Sequence, residues 1–318
     1  MKALYWDGQL QFTEVVAPEP GPARALVRVK MAGICNTDLE LVKGYMGFKG
    51  VLGHEFVGVV EQAGAREWCG RRVCGEINFG CGECDFCSRG LGRHCPNRTV
   101  LGILNQNGAF AEYVAVPVAN LRPVPESVPD RAAVFVEPLA AAFEILEQVK
   151  IAPNQRVCVV GDGKLGLLIC QVLKLTGCDL TLIGKHDTKL KLARSWGIGG
   201  VKQDQMAGER KFDVAVEASG SPTGFETAMH WLKPRGTLIL KSTYAGNLEL
   251  NAAPIVIDEI TIVGSRCGQF EPAIRALEHN LVTVEALIDG IYPFEQALQA
   301  FERAQDPGTL KILLNFDD

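Results

Sequence analysis

The sequence lacks any apolar run that approaches the roughly 18 residues needed to cross a membrane, and it has no block of basic residues. Its net charge of −5 argues against a nucleic-acid-binding surface. Residues 1–7 lack the long apolar core and the cleavage site of a signal peptide. No internal repeat, low-complexity tract or long flexible linker interrupts the chain. We therefore expect a cytoplasmic protein with neither a membrane nor a nucleic acid as its partner.

Apolar residues and cysteine are, by contrast, abundant. Hydrophobic residues make up 47% of the 318 residues and charged residues 22%, which is typical of a globular protein of about two domains. In a reducing compartment, eleven cysteines indicate metal ligands or buried small hydrophobic residues rather than disulfides. The spacing of the cysteines separates these two uses.

Two kinds of local pattern divide the chain. Residues 1–32 alternate in short apolar and polar runs, punctuated by proline and glycine, which predicts β-strands and turns. Further along, strand patterns alternate with helical ones, and this alternation predicts a parallel, doubly wound sheet of the α/β class. The strands of that sheet are predicted at 155–160, 180–183, 213–218, 236–241 and 260–264.

Two potential metal ligands lie in the segment 33–55. It begins Gly-Ile-Cys-Asn-Thr-Asp, which contains Cys35, and it closes Gly-His-Glu, which contains His54 and Glu55. Cysteine thiolate and neutral histidine are preferred ligands of zinc, and a catalytic zinc uses three protein ligands and keeps one open position. For either residue alone, a buried thiol or a core histidine would be the better interpretation. The motif that follows downstream favours metal binding.

That motif is C-x2-C-x2-C-x7-C, formed by Cys81, Cys84, Cys87 and Cys95. Four thiolates close a tetrahedron around zinc and leave no open position, so the predicted site is structural. Its binding free energy would stabilise a loop that has little core of its own. An iron–sulfur site is the alternative, because the first three cysteines and the final Cys-Pro are similar to a ferredoxin motif. The ferredoxin gap before the last cysteine is three residues rather than seven, which favours zinc.

A glycine-rich turn of the form G-x-G-x-x-G follows the strand predicted at 155–160 and leads into an apolar helix. Glycine permits the tight turn, and the missing Cβ lets a pyrophosphate approach the amides at a helix N-terminus. In this strand–turn–helix context the motif predicts a dinucleotide-binding site. Its predicted contacts are Gly161, Gly163, Lys164, Leu165 and Gly166.

The end of the next predicted strand bears on the choice of dinucleotide. About 20 residues after the first glycine of the motif, an acidic residue would bind the ribose of NAD. The chain has Gly184, Lys185 and His186 there, so this stretch offers no carboxylate to repel a 2′-phosphate and two potentially cationic side chains. The sequence therefore predicts a preference for NADP, with NAD possible. The alternative is a solvated turn whose Lys185 contacts no ligand.

Glu137 stands in an otherwise apolar stretch, 135–140, at a predicted strand-to-helix junction. A carboxylate in such surroundings is unusual unless it is paired. Taken alone, it could cap the start of the helix, where negative charge is favourable.

Together these features resemble the zinc-containing medium-chain alcohol dehydrogenase family, in the branch of the sorbitol, threonine and glucose dehydrogenases. The resemblance covers essentially the whole chain. The motifs that carry it occur in the family's order: the Cys35 segment, the Gly-His-Glu triplet, the four-cysteine motif, Glu137-Pro138 and the turn at Gly161.

The resemblance implies two domains. The first is a GroES-like, β-rich catalytic domain of residues 1–138, completed by 267–318. The second is a Rossmann NAD(P)-binding domain of residues 139–266. An active-site cleft is then expected at their junction, and a homo-oligomer, dimer or tetramer, is expected through the edge of the Rossmann sheet.

The same resemblance assigns residues to the catalytic zinc. Cys35, His54 and Glu137 match its three ligands. Glu55 matches a carboxylate close to the metal that exchanges with water or acts as a ligand. Asp38 matches the group that fixes the tautomer of the ligand histidine.

The implied reaction transfers a hydride between an alcohol, polyol or sugar hydroxyl, or the corresponding carbonyl, and NADP(H). Zinc lowers the pKa of bound water from 15.7 to about 7, and it is expected to act similarly on an alcohol. The Thr37 hydroxyl would pass the proton outward, and Lys311 matches a basic residue near the cofactor phosphates. Where many members have a histidine that completes the relay, this chain has Glu40. Either Glu40 accepts the proton, or it faces solvent and Thr37 delivers the proton to water.

A non-catalytic relative that acts as a zinc-stabilised NADP-binding or regulatory protein is the alternative function. The complete set of Cys35, Thr37, His54, Glu55 and Glu137 argues against it, because sequence drift would most easily remove such residues.

Overall fold

The computed structural model describes residues 1–243 and 250–317. The chain divides into two compact units, Met1–Glu137 with Phe270–Asp318, and Pro138–Gln269. The boundaries expected from the sequence, 1–138 with 267–318 and 139–266, lie within three residues of these. Among the described residues, no helix has both the length and the apolar character that a membrane span requires.

The first unit begins with short strands and a few short helices. Its strands are β1 Lys2–Trp6, β2 Leu10–Glu14, β3 Arg24–Ile34, β4 Gly50–Val51, β5 Glu55–Ala63, β6 Arg72–Gly75, β7 Asn78–Phe79, β8 Thr99–Val100, β9 Tyr113–Pro117 and β10 Leu121–Pro123. Its helices are α1 Asn36–Leu41, α2 Asp85–Ser88, α3 Asp130–Ala133 and the start of α4 Val136–Gln148.

The second unit alternates strands and helices. Its strands are β11 Arg156–Val160, β12 Asp179–Gly184, β13 Gly199–Lys202, β14 Phe212–Glu217, β15 Leu232–Leu240 and β16 Thr261–Gly264. Its helices are α5 Lys164–Lys174, α6 Asp187–Ser195, α7 Pro222–Trp231 and α8 Ala253–Ile257. The chain then returns to the first unit as α9 Phe270–Glu278, β17 Ile288–Pro293, α10 Ala297–Gln305 and β18 Lys311–Asn315.

The main sheet of the first unit is built around β3. Its strand order is β10-β6-β5-β3-β18-β17, and β9 also pairs with β3. Along β3, Ala25, Val27 and Val29 are buried and alternate with partly exposed residues, as expected of a strand with one face on the core. The late strand β18 therefore lies beside the early strand β3, which brings the end of the chain next to residues 31–34.

The sheet of the second unit has the order β13-β12-β11-β14-β15-β16 with parallel pairing throughout. The order reverses between β11 and β14, which is the arrangement of the Rossmann fold. The prediction of a doubly wound parallel sheet is thus confirmed. The central strand β11 is apolar along most of its length because helices cover both faces of such a sheet.

One local prediction was wrong. Residues 135–140 do not form a strand-to-helix junction, because α3 precedes them and α4 already begins at Val136. Glu137 therefore lies in the first turn of a helix. Phe135 and Val136 are fully buried, and a short apolar run does not distinguish a buried strand from a buried helix.

The turn between β11 and α5 contains glycines with different structural demands. Gly161 has a φ of +117°, and a Cβ added there would lie 2.6 Å from the carbonyl oxygen of Ala218. A Cβ at Gly166 would overlap the carbonyl oxygen of Gly161. At Gly163, by contrast, an added Cβ would have no atom within 4 Å among the described residues other than those of its own chain neighbours.

We expect Gly166→Ala to lower the free energy of unfolding by about 1–3 kcal/mol, because the backbone must move to admit the methyl group. Gly163→Ala is the matched control and should leave the unfolding transition unchanged. Thermal unfolding of the two variants, followed by circular dichroism, measures the difference. Equal melting temperatures for the two variants would contradict this account of the turn.

Candidate active site

Strands from three distant parts of the chain meet at the carboxyl end of β3. Gly33 pairs with Glu55 across β3 and β5, and Ile34 pairs with Ile312 across β3 and β18. Neighbouring strands are about 4.8 Å apart, so the residues at these ends are close in space. Cys35, which follows β3 directly, therefore lies beside the first residues of β5 and β18.

Three potential metal ligands converge there. The Sγ atom of Cys35, a ring nitrogen of His54 and a carboxylate oxygen of Glu55 all lie within 4.8 Å of one another. His54 and Glu55 are buried, and Cys35 is partly exposed. Thiolate, imidazole and carboxylate are the ligand types that suit zinc in a catalytic site.

Asp38 holds both ligand segments in place. Its Oδ2 accepts a hydrogen bond of 2.8 Å from the backbone N–H of Cys35, and its Oδ1 accepts one of 3.3 Å from that of Gly53. His54 Nδ1 lies 3.3 Å from the same Oδ1, which is an ion-pair distance without hydrogen-bond alignment. Burial lowers the pKa of His54, but the Asp38 carboxylate outweighs it and holds that pKa well above its ordinary value. A carboxylate facing the far side of a ligand histidine orients its ring.

Lys311 forms a buried ion pair with Glu55. The Lys311 Nζ also lies 3.5 Å from the carbonyl oxygen of Ile34 and 5.7 Å from the ring centroid of Phe135. Burial lowers the pKa of Lys311, but the negative charges of Glu55 and Cys35 outweigh burial and raise it. In this structure Lys311 is engaged with Glu55, and its predicted position near the cofactor phosphates stays a prediction.

The second oxygen of Glu55 supports a cation at this site. Oε1 is buried and has no hydrogen-bond partner among the residues that the structure describes. A buried charged oxygen without a partner is costly, and a bound cation would remove that cost. The donor set and this oxygen together fit a zinc ion.

The remaining predicted residues differ in their placement. Within the described chain, the group of donor atoms that lie within 4.8 Å of one another comprises Cys35, His54 and Glu55 and does not include Glu137. Thr37 Oγ1 lies 3.8 Å from Cys35 Sγ. Glu40 Oε1 lies 2.9 Å from the exposed Lys43 Nζ. The ligand role of Glu137 and the relay role of Glu40 therefore stay predictions.

The four cysteines of the second motif also come together. Cys95 Sγ lies 3.5 Å from Cys81 Sγ and 3.7 Å from Cys84 Sγ, and all four sulfur atoms lie within 4.8 Å of one another. Zinc–sulfur bonds of about 2.3 Å in a tetrahedron place sulfur atoms about 3.8 Å apart. The observed spacing therefore fits a four-thiolate zinc site.

The pKa values of these thiols also favour a bound cation at the four-cysteine site. The backbone N–H groups of Glu83 and Cys84 lower the pKa of Cys81 to about 6. The Cys87 N–H lowers the pKa of Cys84, but partial burial and the neighbouring thiols outweigh it and raise that pKa to about 11. Four adjacent thiols cannot all be ionised without a compensating positive charge.

The glycine-rich turn lies where the sequence predicts it. Gly161 follows β11, Gly163 precedes α5, and Lys164, Leu165 and Gly166 form the first turn of that helix. The first N–H groups of a helix have no partner within the helix, so this end can bind a phosphate.

Asp162, within the same turn, is a residue that sequence reasoning missed. A Cβ added at Gly184 would lie 2.5 Å from Asp162 Oδ2, so the carboxylate fills the space beyond the end of β12. The backbone N–H groups of Lys185 and His186 donate to Asp162 Oδ2 at 2.8 and 2.7 Å, and His186 Nδ1 lies 2.9 Å from Oδ1. Burial raises the pKa of Asp162, but these contacts outweigh burial and lower it.

This placement contradicts one premise of the NADP prediction, while the cofactor preference itself stays a prediction. The argument required that no carboxylate stand at the end of β12, and the structure places Asp162 there. The carboxylate comes from the turn after β11 rather than from β12 itself. The signal in the sequence is an aspartate inside G-x-G combined with a glycine at the end of the following strand.

Two family models match the chain. The alcohol dehydrogenase GroES-like domain matches residues 21–126, and the zinc-binding dehydrogenase domain matches residues 165–281. The chain belongs to the zinc-containing medium-chain alcohol dehydrogenase family. The enzyme is 28% identical to a sorbitol dehydrogenase of Halalkalibacterium halodurans, over 99% of this chain and 98% of that protein.

Solved structures with bound cofactor are similar to the enzyme. The rspB alcohol dehydrogenase of Escherichia coli CFT073, complexed with NADH, has a TM-score of 0.91 at 29% identity, and 99% of each chain is covered. A structure from Sinorhizobium meliloti 1021, assigned as a zinc-binding dehydrogenase and bound to NADP, has a TM-score of 0.89 at 27% identity. The alignment covers 99% of this chain and 98% of the Sinorhizobium meliloti chain. As a family member, the enzyme is an oxidoreductase with zinc and a nicotinamide cofactor.

We expect Cys95→Ser to lower the melting temperature by about 5 °C or more, because the opened four-cysteine site loses binding free energy that stabilises its loop. Zinc content should fall in parallel. Cys69→Ser is the matched control, since Cys69 is exposed and lies outside both donor groups. Thermal unfolding and metal analysis measure both effects. An unchanged melting temperature and zinc content in Cys95→Ser would contradict the site.

Proposed function

We propose that the enzyme transfers a hydride between the hydroxyl of an alcohol, polyol or sugar, or the corresponding carbonyl, and a nicotinamide dinucleotide. The observation that supports this is the group of Cys35, His54 and Glu55, whose donor atoms lie within 4.8 Å of one another in one chain with a dinucleotide-binding turn. We assign Glu137 as a further ligand by family position. A second zinc ion belongs at the four-cysteine site.

The chain's own residues would divide the work at this site. A zinc ion supplies Lewis acidity, which lowers the pKa of a hydroxyl group held there. Asp38 positions Cys35 and His54 through the backbone and ring contacts described above. Thr37 Oγ1 lies 3.8 Å from Cys35 Sγ, which places its hydroxyl beside the proposed metal position. There it would accept the substrate proton and pass a proton either to Glu40 or to water.

The Lys311–Glu55 pair sets the charge of the site. The ammonium group offsets the carboxylate, so Glu55 occupies this buried place without adding a net negative charge. Less ligand charge leaves a bound cation a stronger electron acceptor, which favours the ionised form of a hydroxyl substrate. This role explains why a fully buried lysine lies beside a metal site.

A polyol or sugar is the substrate class that we favour. The sorbitol dehydrogenase relative acts on such a compound by its name and aligns over nearly its whole length. Glu40, half-buried in α1 near Thr37, supplies a carboxylate that suits a substrate with several hydroxyl groups. We also propose a cytoplasmic location, because eleven free thiols require a reducing compartment.

We further propose a homo-oligomer that forms through β16. This strand closes one side of the six-stranded sheet in the described structure, and an edge strand offers unpaired backbone groups to a second copy. Val256 and Ile257 in the preceding helix are 75% and 76% exposed, and Ile262 on the strand is 37% exposed. Apolar side chains grouped beside a strand edge are typical of a protein–protein contact.

We expect Cys35→Ser to lower turnover by about three orders of magnitude or more while the fold is retained, because the Lewis acid loses its thiolate ligand. Wild type and variant are compared with a panel of alcohols, polyols and sugars, by the absorbance of reduced nicotinamide with NAD and with NADP. Cys69→Ser serves again as the control, with unchanged turnover. Retained activity in Cys35→Ser would refute the metal assignment. A wild type that binds zinc and dinucleotide but oxidises no member of the panel would support the non-catalytic alternative.

We expect Ile257→Glu to shift the enzyme toward a smaller molar mass, because the new charge would be buried in the contact between copies. Light scattering during gel filtration measures the mass. Val16→Glu changes an even more exposed apolar residue of the other unit, at 94% exposure, and should leave the mass unchanged. A monomeric wild type would refute the proposed contact.

A further inference from the structure

We propose that Asp162 makes the enzyme selective for NAD over NADP, by occupying the position in which a 2′-phosphate would be bound. This inference rests on the proposed dinucleotide-dependent function. It names the residue that decides between the two cofactors, and it reverses the preference that the sequence alone predicts.

The pairing of β11 with β12 places Asp162 at the end of β12. β11 and β12 are parallel, with Val160 opposite Ile183. The N–H of Gly161 donates a hydrogen bond of 2.9 Å to the carbonyl oxygen of Ile183. The side chain of the next residue, Asp162, therefore lies directly beside the end of β12.

Gly184 leaves the room that this side chain needs. A Cβ at residue 184 would lie 2.5 Å from Oδ2, 2.6 Å from Cβ and 2.7 Å from Cγ of Asp162. Any larger residue at 184 would displace the aspartate. In the Rossmann fold an acidic residue near this strand end binds the ribose of NAD. Here the neighbouring turn supplies the carboxylate, and the strand end supplies the space for it.

The contacts of Asp162 are those of a bound anion. Its Oδ2 accepts hydrogen bonds from the N–H groups of Lys185 and His186, just ahead of α6. Such N–H groups at a helix start are where phosphate groups bind. Both N–H groups already donate to Asp162, so a 2′-phosphate could bind them only by displacing a carboxylate that the fold holds in place.

The basic side chains of this turn do not restore a phosphate site while Asp162 is present. His186 Nδ1 lies 2.9 Å from Oδ1 and 3.1 Å from Oδ2, so its ring is turned toward the carboxylate. Lys185 is exposed, and its attraction for a phosphate is opposed by the adjacent negative charge. Oδ1 accepts fewer contacts than Oδ2 and keeps capacity for a ribose hydroxyl, since a carboxylate offers about four acceptor positions.

The decisive measurement is the ratio of dissociation constants for NADPH and NADH, obtained by fluorescence or calorimetric titration without any substrate. We expect the wild type to bind NADH at least tenfold more tightly. Asp162→Asn keeps the shape and loses the charge, so it should reduce that ratio at least tenfold. Asp179→Asn removes a carboxylate from the opposite end of β12, where the side chain is 71% exposed, and should leave the ratio unchanged.

A reciprocal variant tests position as well as charge. Asp162→Gly alone should bind NADPH more tightly, because it frees the N–H groups of Lys185 and His186. The double variant Asp162→Gly with Gly184→Asp moves the carboxylate onto β12, with the clashing Cβ removed, and should restore the preference for NADH.

Two results would overturn the inference. A wild type that prefers NADPH, or an unchanged ratio in Asp162→Asn with both dinucleotides still bound, would show that Asp162 only holds the turn together. If neither dinucleotide binds the wild type, the proposed function itself fails and this assignment fails with it. Melting temperatures of the variants distinguish loss of the Asp162 contacts with Lys185 and His186 from loss of the fold. If Asp162→Gly does not fold, the isosteric Asp162→Asn still tests the inference.

Discussion

The buried ion pair between Lys311 and Glu55 is the constraint around which the catalytic unit is organised. Removing two charges from water costs several kcal/mol per ion, and the cost is offset only when the groups are well paired. The pairing requires β18 to lie against β3, and β3 against β5, in one register. A Cβ at Gly33 would lie 2.7 Å from Glu55 Oε2, so glycine at this point of β3 admits the carboxylate. The potential metal ligands Cys35 and His54 lie close to this pair.

A related arrangement occurs in the dinucleotide-binding unit. There too a carboxylate, Asp162, is placed against a neighbouring strand, and a glycine, Gly184, leaves the space that it fills. Both carboxylates are held by groups that are distant in sequence or on another element: an ammonium group for Glu55, and backbone N–H groups for Asp162. In each case a glycine on one strand leaves the space for an acidic side chain from a neighbouring segment, which is the strand β5 for Glu55 and the turn after β11 for Asp162. Substitution of either partner therefore changes the electrostatics of the site as well as its packing.

The features that were predictable from the sequence are local ones. The glycine-rich turn was predictable because its backbone demands lie within a few residues, as the collisions at Gly161 and Gly166 show. The four-cysteine motif was predictable because its spacing limits the chemistry of its ligands. The strand β13 was not predicted, because its sequence of two glycines, a valine and a lysine has no strong strand pattern. The helical setting of Glu137 was missed because buried helices and buried strands are both apolar in short runs.

What the sequence by itself determined is the set of chemical groups and their order: a thiolate, an imidazole and carboxylates for zinc, and glycines for a dinucleotide. The tertiary structure decided which carboxylate meets each partner. Glu55 joins Cys35 and His54 in the close donor group, and Asp162 rather than residue 184 supplies the charge at the end of β12. The physical reason is that motifs and periodicity report the path of the backbone over a few residues. Distances between side chains on different strands depend on sheet register, which is set by pairing across the whole unit.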